Sequence, residues 1–383
     1  MQSEWIMNFQ PDPDAVAVAE SVGRFAEASL KPRAQAIDET GIFVAEHIPA
    51  LGELGVMGMN LPERWGGAGV SPIALYLAVE ALAGGCGSTV SMVTAHYLAT
   101  DSILLGGDDA IRERYLPEAA AGRSLGAFAL TEPRAGSNPA DMSTRAVPEG
   151  EGYRITGVKH FISNAAYADF IVVFAKTDPS AGYKGISAFV VEPRHGGVET
   201  SAPEKTMGLR GGHVFEVAFD CWVPERNRLD SEGSGFRTAM HVLDNGRIEV
   251  SAMCTGMAGA ALDAAVGWSK TRQVDGHPIA EFQGLQWMLA DMATELDAAR
   301  LLGLRAASLR GSGKRYSREA SMAKLLASET AGAVIDRALQ IHGGYGYSRD
   351  MPLERLARDV RIMRIYEGSS EIQRNIIART LLA

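Results

Sequence analysis

The sequence predicts an α+β protein with a helical N-terminal domain, a middle antiparallel β domain folded as a small barrel or sheets, and a C-terminal bundle of helices. Apolar residues keep helical spacing in the first third, and short β-branched and aromatic runs fill the middle. Helical spacing returns near residue 235 and persists to the end. The predicted domains are therefore residues 1–124, 125–234 and 235–383.

The N-terminal domain is predicted to be all helical. Apolar or small residues from Val18 to Ser29 keep helical spacing, and Pro32 predicts that the helix ends at Lys31. The segment 62–69 is too rich in Pro and Gly for regular structure. Further helices are predicted at 48–54, 73–80 and 111–116, the last of them ending before Pro117.

The middle domain is predicted to be a set of antiparallel strands. Clusters of Gly, Pro, Asp and Ser separate its β-rich runs, and no helical segment lies between them. Turn-separated strands favour antiparallel pairing over a parallel doubly wound sheet. The predicted strands are 126–130, 153–162, 170–176, 185–191 and 214–219.

The C-terminal domain is predicted to be a bundle of long helices. Apolar residues recur at three- and four-residue steps along 285–302 and again along 323–341. The segment 252–267 is crowded with Ala and Gly, which lets a helix approach its neighbours closely. Several long helices with one apolar stripe each pack as a bundle.

Composition excludes some function classes. The formal net charge is -9, with 37 Lys and Arg against 46 Asp and Glu, and there is no long basic tract, so nucleic acid is not an expected partner. An anionic ligand must therefore be held by individual Arg side chains, helix N-termini or backbone amides. Small-molecule chemistry is the expectation.

The sequence predicts a soluble cytoplasmic protein. No uncharged apolar run is long enough to span a membrane, and residues 1–13 resemble neither a secretory signal nor a transit peptide. The three cysteines, Cys86, Cys221 and Cys254, are odd in number and far apart, which suits a reducing compartment.

Several common site motifs are missing from the sequence. There is no G-x-G-x-x-G dinucleotide pattern and no G-x-S-x-G elbow, and the G-S-G-K at 311–314 has Ser308 where a P-loop needs glycine. The eight histidines lack metal-ligand spacing, so no metal site is predicted.

Four unusual segments remain: 130–138 (LTEPRAGSN), 159–164 (KHFISN), 340–347 (QIHGGYGY) and 355–373 (RLARDVRIMRIYEGSSEIQ). The first two offer hydroxyl and amide groups at strand ends, although surface turns and aromatic packing explain them equally well. The third has three glycines after a helix, which indicates either close backbone approach to a ligand or a flexible loop.

The fourth segment places a carboxylate in a turn between two helices. Ser370 and Gln373 form an S-x-x-Q capping box for the last helix, which puts Glu367 in the preceding turn between Tyr366 and Gly368. A charged residue in a turn is usually solvated, and it becomes a candidate base only where the turn faces a pocket.

Taken together and in this order, these motifs resemble those of the acyl-CoA dehydrogenase family, and they are most similar to its short-chain and short branched-chain members. The resemblance covers essentially the whole chain. It implies a C-terminal four-helix bundle and FAD held between subunits of a homotetramer built as a dimer of dimers. It also implies an acyl-CoA substrate from fatty-acid or related metabolism, and an electron-transfer flavoprotein as the partner that accepts the electrons.

The resemblance implies that Glu367 is the catalytic base, which removes the α-proton while flavin N5 accepts the β-hydride and a trans-2-enoyl-CoA forms. The backbone amide of Glu367 and a flavin ribityl hydroxyl would polarise the thioester oxygen. The substrate-binding residues implied are Ser137, Asp244, Arg247 and Gly368. The cofactor-binding residues implied are Phe128, Leu130, Thr131, Ser137, Phe161, Ser163, Arg272, Gln283, Gln340, Gly343, Gly344, Ser369 and Glu371.

Departures from the family pattern define the alternatives. Asn138 replaces a common Asp, Asp275 replaces a Phe that contacts the cofactor across the subunit interface, and Phe161 replaces a Trp. Some members of the family carry their catalytic base immediately before the arginine that corresponds to Arg247. This chain has Gly246 at that position, and Glu249 is out of register with it. The alternative functions are an acyl-CoA oxidase using O2 and a non-catalytic flavin- or CoA-binding protein of the same fold.

Overall fold

A computed structural model describes residues 11–382, and its elements follow the predicted order of helices, strands and helices. The predicted fold class is confirmed. The N-terminal helices are α1 (Pro13–Phe25), α2 (Ala34–Thr40), α3 (Ile48–Glu53), α4 (Pro72–Gly85), α5 (Gly87–Gly106) and α6 (Asp109–Ala120).

The two helix ends predicted from prolines are wrong. α1 continues through a π-helical turn and a 3-10 turn into α2, and Pro32 lies inside the 3-10 turn. Pro117 lies inside α6, which runs on to Ala120. Because Leu116, Ala119 and Ala120 are buried in the core, the packing of this last turn outweighs the backbone hydrogen bond that the proline cannot donate.

α5 was not predicted from the sequence. It is buried along most of its length and packs against α4, α6 and the first strand. A helix that is buried on all sides has no polar face, so it shows no periodic apolar stripe. This central helix carries Leu98 and Asp101, which lie next to the candidate site.

The middle domain forms one eight-stranded sheet in the order β6-β7-β3-β2-β4-β5-β8, with β1 paired to β4. The five predicted runs are all strands, and three short strands (β2, β6 and β8) were not predicted. The strands are β1 (Gly126–Ala129), β2 (Arg145–Glu149), β3 (Gly152–Ser163), β4 (Phe170–Lys176), β5 (Ile186–Val191), β6 (Val198–Thr200), β7 (Val214–Pro224) and β8 (Arg228–Leu229).

Most strand pairs are antiparallel, but β1 and β2 each pair with β4 in parallel. The β2–β3 hairpin lies between β1 and β4 in the chain, so the chain crosses over before β4 and returns in the direction of β1. This crossover brings β1 close to β3, where the predicted flavin residues of both strands can meet.

The C-terminal domain contains α7 (Gly235–Thr271), a hairpin of β9 (Gln273–Val274) and β10 (His277–Pro278), α8 (Gln283–Gly311), α9 (Ser317–His342), α10 (Pro352–Val360) and α11 (Ser370–Leu382). α7, α8 and α9 pack on one another, and α11 packs on α9. Asp275 and Gly276 both have positive φ, +52° and +81°, in the hairpin turn. The Asp275 departure thus suits a two-residue Asp-Gly turn.

Small residues on the long helices bring the two helical domains into one core. A Cβ on Gly256 of α7 would overlap the backbone oxygen of Glu80 in α4, and one on Gly303 of α8 would overlap Tyr76. α7 is long and apolar enough to cross a membrane by length and composition, but 61% of its apolar window is buried inside this fold. Core helices commonly have this composition.

Candidate active site

Glu367 lies in a strained turn between α10 and α11. Its φ is +51°, and Gly368 follows with φ +92°. A non-glycine residue in this left-handed region costs about 1–2 kcal/mol, and such strain is retained where surrounding contacts impose it. The turn is therefore a fixed feature of the structure.

Three side chains from different helices hold the carbonyl groups of this turn. The Gln373 amide donates to the oxygens of Glu367 (3.1 Å) and Gly368 (2.8 Å). Lys324 Nζ of α9 donates to the same Gly368 oxygen at 2.7 Å, and Arg247 Nε of α7 donates to the Glu367 oxygen at 3.4 Å. The turn is thus held from three sides.

The capping box predicted for α11 is wrong. Ser370 Oγ donates to Glu329 at 2.7 Å, and it is Ser369 whose Oγ accepts from the Ile372 amide, at 3.5 Å. The Gln373 side chain reaches back past the start of α11, because the carbonyl oxygens of Glu367 and Gly368 accept no backbone hydrogen bond and its amide can donate to both. The S-x-x-Q pattern therefore locates the turn correctly but assigns its hydrogen bonds to the wrong partners.

The Glu367 carboxyl points into the interior beside Gly246. Its Oε2 atom is buried and has no hydrogen-bond partner among residues 11–382. A Cβ on Gly246 would overlap this oxygen and would lie 2.9 Å from Leu98 Cδ2. The absence of a side chain at position 246 thus leaves the space that the carboxyl occupies.

Burial raises the pKa of Glu367 to about 7, although the positive charges of Lys324 and Arg247 act to lower it. A carboxyl with a pKa near neutral accepts a proton far more readily than an ordinary glutamate. The backbone N–H of Glu367 pairs with no backbone acceptor in the described part of the chain, so it is free to donate to a ligand.

Three of the four predicted substrate residues meet at this turn. Arg247 Nη1 donates to Asp244 Oδ1 at 2.5 Å, and Gly368 forms the turn with Glu367. The fourth, Ser137, is exposed on the connection between β1 and β2. Ser317, at the start of α9, donates to Asp244 and was not predicted, since a lone serine at a helix start has no distinguishing signal.

The predicted flavin residues of the β domain lie on two adjacent segments. The His160 amide donates to the Thr131 oxygen at 2.9 Å, and Lys159 Nζ donates to the Leu130 oxygen at 3.0 Å. Phe128 and Ser163 are half-buried on β1 and at the end of β3. The segment with Leu130 and Thr131 therefore lies next to the strand that carries Phe161 and Ser163, and Leu130 is buried.

Phe161 presents an exposed aromatic face at a β-bulge. The pairing of β3 with β7 shifts register between Lys159 and Ile162, and Phe161 has φ +57°. Its ring stacks on that of His160, with centroids 4.1 Å apart, and 60% of the residue is exposed. Bulges often re-aim a side chain next to an active site.

A buried ion pair supports this surface and was missed at the sequence level. Lys159 Nζ lies 3.0 Å from Glu132 Oε1, and both side chains are buried. Burial acts to raise the pKa of Glu132, but Lys159 and hydrogen bonds from Ser143 and Thr144 lower it to about 2. Glu132 is thus the ionised anchor of the turn that carries Thr131. At Asn138, the side-chain amide donates to Asp141 in a local contact.

The glycine segment borders a large cavity on the C-terminal bundle. This cavity of about 690 Å³ is lined by Arg272, Gly343, Gly344, Trp268 and Tyr345 among others. A Cβ on either glycine would meet nothing within 4 Å, so the backbone there is open. The predicted residues Gln283, Gln340 and Glu371 are exposed, and Ser369 is half-buried at the start of α11.

The chemistry of these two surfaces fits a flavin dinucleotide. Arg272 supplies a positive charge for phosphates, the open backbone at Gly343 and Gly344 allows a ligand to approach closely, and the Trp268 and Tyr345 rings lie beside them. The exposed Phe161 ring and the hydroxyls of Thr131 and Ser163 suit a flat polar ring. In the described part of the chain no cluster of His, Cys, Asp and Glu is arranged for a metal ion.

A second buried carboxyl, Glu249, lies one turn from Gly246 on α7. Arg310 of α8 lies 3.4 Å from both Glu249 Oε1 and Asp101 Oδ2, and Asn245 donates to the same Asp101 oxygen at 2.6 Å. Burial raises the pKa of Glu249 well above its ordinary value. Both carboxyls have a buried oxygen without a hydrogen-bond partner, but Glu249 is paired with Arg310, whereas Glu367 has no ion pair among residues 11–382 and lies beside Gly246.

Three models of one protein family match most of the chain. The model described as the acyl-CoA dehydrogenase N-terminal domain matches residues 12–123, that of the middle domain matches residues 127–221, and that of the C-terminal domain matches residues 233–382.

The chain is also similar over nearly its whole length to individual proteins. Acryloyl-CoA reductase (NADH) of Anaerotignum propionicum is 42% identical, covering 94% of this chain and 92% of that protein. The short-chain specific acyl-CoA dehydrogenase of Clostridium acetobutylicum is 40% identical, covering 97% of this chain and 99% of that protein. A chain in a solved structure of the electron transferring flavoprotein of Acidaminococcus fermentans is 42% identical with a TM-score of 0.96. The match covers 98% of this chain and 100% of that chain.

Proposed function

The chain belongs to the acyl-CoA dehydrogenase family, whose members depend on FAD, and on that premise we propose that it oxidises a short- or short branched-chain acyl-CoA to the trans-2-enoyl-CoA. Glu367 is the base that removes the α-proton. The observation that supports this role is the buried, unpaired Oε2 of Glu367 in a turn fixed from three sides.

The residues of the turn divide the work of proton removal. Glu367 takes the α-proton, for which a carboxyl with a pKa near 7 is suited. Its free backbone N–H polarises the thioester oxygen, which makes that proton more acidic. Arg247 donates to the turn and Asp244 accepts from Arg247, and the resemblance places both residues at the CoA thioester.

Residues of both surfaces would hold the FAD cofactor. When bound, FAD supplies the acceptor for the hydride that leaves the β-carbon. Thr131, Phe161 and Ser163 would hold its ring system, and Arg272 with Gly343 would hold its phosphates. The cavity at Arg272 lies on the outer face of the bundle, close to exposed Phe282 and Val274.

Anaerobic mixing of the FAD-loaded enzyme with butyryl-CoA and isobutyryl-CoA tests the reaction. We expect the absorbance of oxidised flavin to disappear, and the Glu367→Gln variant to keep FAD but lose this reaction by roughly 10²–10⁴-fold. No loss of absorbance with any acyl-CoA of a length and branching panel would refute the dehydrogenase proposal. Fast reoxidation by air with formation of peroxide would favour the oxidase instead.

The direction of the reaction requires a separate measurement, because one similar protein is named an acryloyl-CoA reductase (NADH). We propose oxidation with an electron-transfer flavoprotein as acceptor, and the similar chain in a solved structure of such a flavoprotein supports this pairing. Faster reduction of an enoyl-CoA by NADH than oxidation of the acyl-CoA by the flavoprotein would contradict it.

We propose further that the enzyme is a cytoplasmic homotetramer. All three cysteines are free and buried, as suits a reducing compartment. Large apolar side chains on the C-terminal bundle are exposed in the single chain, with Trp287 at 62% and Tyr347 at 84%. Light scattering that gives a monomer, or fractionation that places the protein outside the cytoplasm, would contradict these proposals.

A further inference from the structure

Lys324 is a buried lysine on α9 that donates to the Glu367 turn, but its positive charge has no part in the proposed removal of the proton. Its side chain is fully buried, and its Nζ donates to the Gly368 oxygen at 2.7 Å. No carboxylate lies within 4 Å of this ammonium among the described residues. A buried ammonium usually requires a paired carboxylate, because its desolvation costs several kcal/mol. Lys324 is therefore a candidate for a functional role.

The turn that Lys324 holds at Gly368 also carries Glu367. Burial lowers the pKa of Lys324 to about 8, and the negative charge of Glu367 acts in the opposite direction. The ammonium remains charged at neutral pH. The same interaction acts on Glu367, where Lys324 is the largest influence opposing the effect of burial.

We infer that Lys324 is a positioning residue for the proposed base: its hydrogen bond to Gly368 fixes the turn, and its charge stabilises the carboxylate form of Glu367. The hydrogen bond and the charge are separable functions of one side chain. Gln373 also bonds to the Gly368 oxygen but carries no charge, so it shares only the first function.

Other charged and titratable groups surround the turn and form the background to this interaction. Arg247 is the other cation that lowers the pKa of Glu367. The remaining groups on the packed elements are Asp101 of α5, Asp244, Glu249 and Cys254 of α7, Arg310 of α8, Glu329 of α9, and Arg364, Tyr366 and Glu371 next to the turn.

Two substitutions of Lys324 separate its functions. Lys324→Gln keeps a donor for Gly368 but removes the charge, and Lys324→Met removes both. Gln373→Leu removes the neutral hydrogen bonds and leaves the charge in place. Lys314→Met, at an exposed lysine in the loop before α9, is the matched control.

The first readout is the titration of the Glu367 carboxyl in the FAD-loaded enzyme without substrate. The titration is monitored by infrared spectroscopy, and the spectra of Glu367→Gln are subtracted to isolate the signal of this carboxyl. Loss of a nearby positive charge raises the pKa of a carboxyl by roughly 1–2 units. We expect that rise in Lys324→Gln and Lys324→Met, and no rise in Gln373→Leu or Lys314→Met. Unchanged titration in both Lys324 variants would overturn the inference.

The second readout is the pH dependence of flavin reduction by butyryl-CoA. At pH 7 the Lys324→Gln variant is expected to react roughly tenfold more slowly, with recovery as pH rises, because less of the base is ionised. Gln373→Leu is expected to lose rate at every pH, and Lys324→Met to show both effects. A loss in Lys324→Gln that does not recover at high pH would show a purely structural role.

The coupling can also be measured from the side of Glu367 if the neutral Lys324 variants fail to fold. Glu367→Gln should then lower the pKa of Lys324, measured by NMR of lysine labelled at Cε, and an unchanged pKa would refute the coupling. The inference rests in part on the proposed function. If acyl-CoA leaves the parent flavin oxidised, the proposed reaction fails, while the infrared and NMR titrations still test the link between Lys324 and Glu367.

Discussion

Replacing Gly246 by alanine is expected to displace the Glu367 carboxyl while leaving the fold intact. The added Cβ would overlap Glu367 Oε2 at a distance far below the 3.4 Å of ordinary contact, and would lie 2.9 Å from Leu98 Cδ2. Both neighbours are ends of flexible side chains, which can swing away. An Ala in place of Gly in a helix also adds about 0.5–1 kcal/mol of helix stability.

The loss of activity follows from the size of this displacement. To reach ordinary contact distance, the carboxyl oxygen must move by roughly 1 Å, and such a misplacement of a reacting group costs about 10²-fold in rate. We therefore expect Gly246→Ala to fold with a stability within about 1 kcal/mol of the parent and to reduce its flavin about 10²-fold more slowly.

Two other glycines of α7 provide matched controls. A Cβ on Gly259 meets nothing within 4 Å, so Gly259→Ala should keep full activity and gain up to about 1 kcal/mol. A Cβ on Gly256 would overlap the backbone oxygen of Glu80, which cannot swing away. Gly256→Ala should therefore lose about 1–3 kcal/mol of stability by overpacking.

The assays are stopped-flow flavin reduction by butyryl-CoA, FAD content by absorbance, and urea unfolding for all three variants. If Gly246→Ala and Gly259→Ala reduce flavin at the same rate, the carboxyl of Glu367 does not occupy the space beside position 246 and the reasoning is refuted. A loss of FAD or of stability in Gly246→Ala that is large enough to explain its slower flavin reduction would also contradict the reasoning, because the effect would then arise from the fold.

Three further predictions concern buried ionisable groups. Burial raises the pKa of Glu249 above the ordinary 4.5, so the folded state holds its proton more tightly and stability falls as pH rises above that value. Urea unfolding at several pH values should show Glu249→Gln gaining stability over the parent as pH rises, and a constant difference would contradict this. Burial lowers the pKa of His96 from 6.5 to about 4, so the unfolded chain binds the proton first and acidification between these values should cost about 3 kcal/mol. The His96→Gln variant should lose less on acidification, and an equal loss would locate the effect elsewhere. Lys159→Met leaves the Glu132 carboxylate buried without its partner and should cost about 3–5 kcal/mol in thermal or urea unfolding, part of which Glu132→Gln in the same chain restores. If the variant with both Lys159→Met and Glu132→Gln were no more stable than Lys159→Met alone, this explanation would be contradicted.

Local sequence signals located most of the elements. The strand predicted at 170–176 matches β4, and the stripes along 285–302 and 323–341 lie within α8 and α9. These signals work because burial on one face imposes a period of two or 3.6 residues on neighbours in the chain. They fail for α5, where burial on every side erases the period, and at Pro117, where packing outweighs a local helix breaker.

Local signals also located the turn that carries Glu367 but not the groups that hold it. Glu367 stands in a contiguous motif with Gly368 and Ser369, so its position in a turn could be recognised from the sequence. Lys324 shows no such signal, because a lysine in a helix pattern is ordinarily a solvated residue. Its burial follows from the packing of α9 against α7 and α11.

By itself, the sequence determined the helix–strand–helix order, the turn that carries Glu367 and the family that the chain resembles, since each depends on residues adjacent in the chain. Only the tertiary structure decided that Gly246 leaves room for the Glu367 carboxyl and that Lys324 reaches Gly368. The tertiary structure also showed that the Gln373 side chain donates to the carbonyl oxygens of Glu367 and Gly368 and does not form a capping box with Ser370 at the start of α11. These contacts join residues on separate elements, and their distances depend on the packing of the whole bundle, which no local pattern encodes.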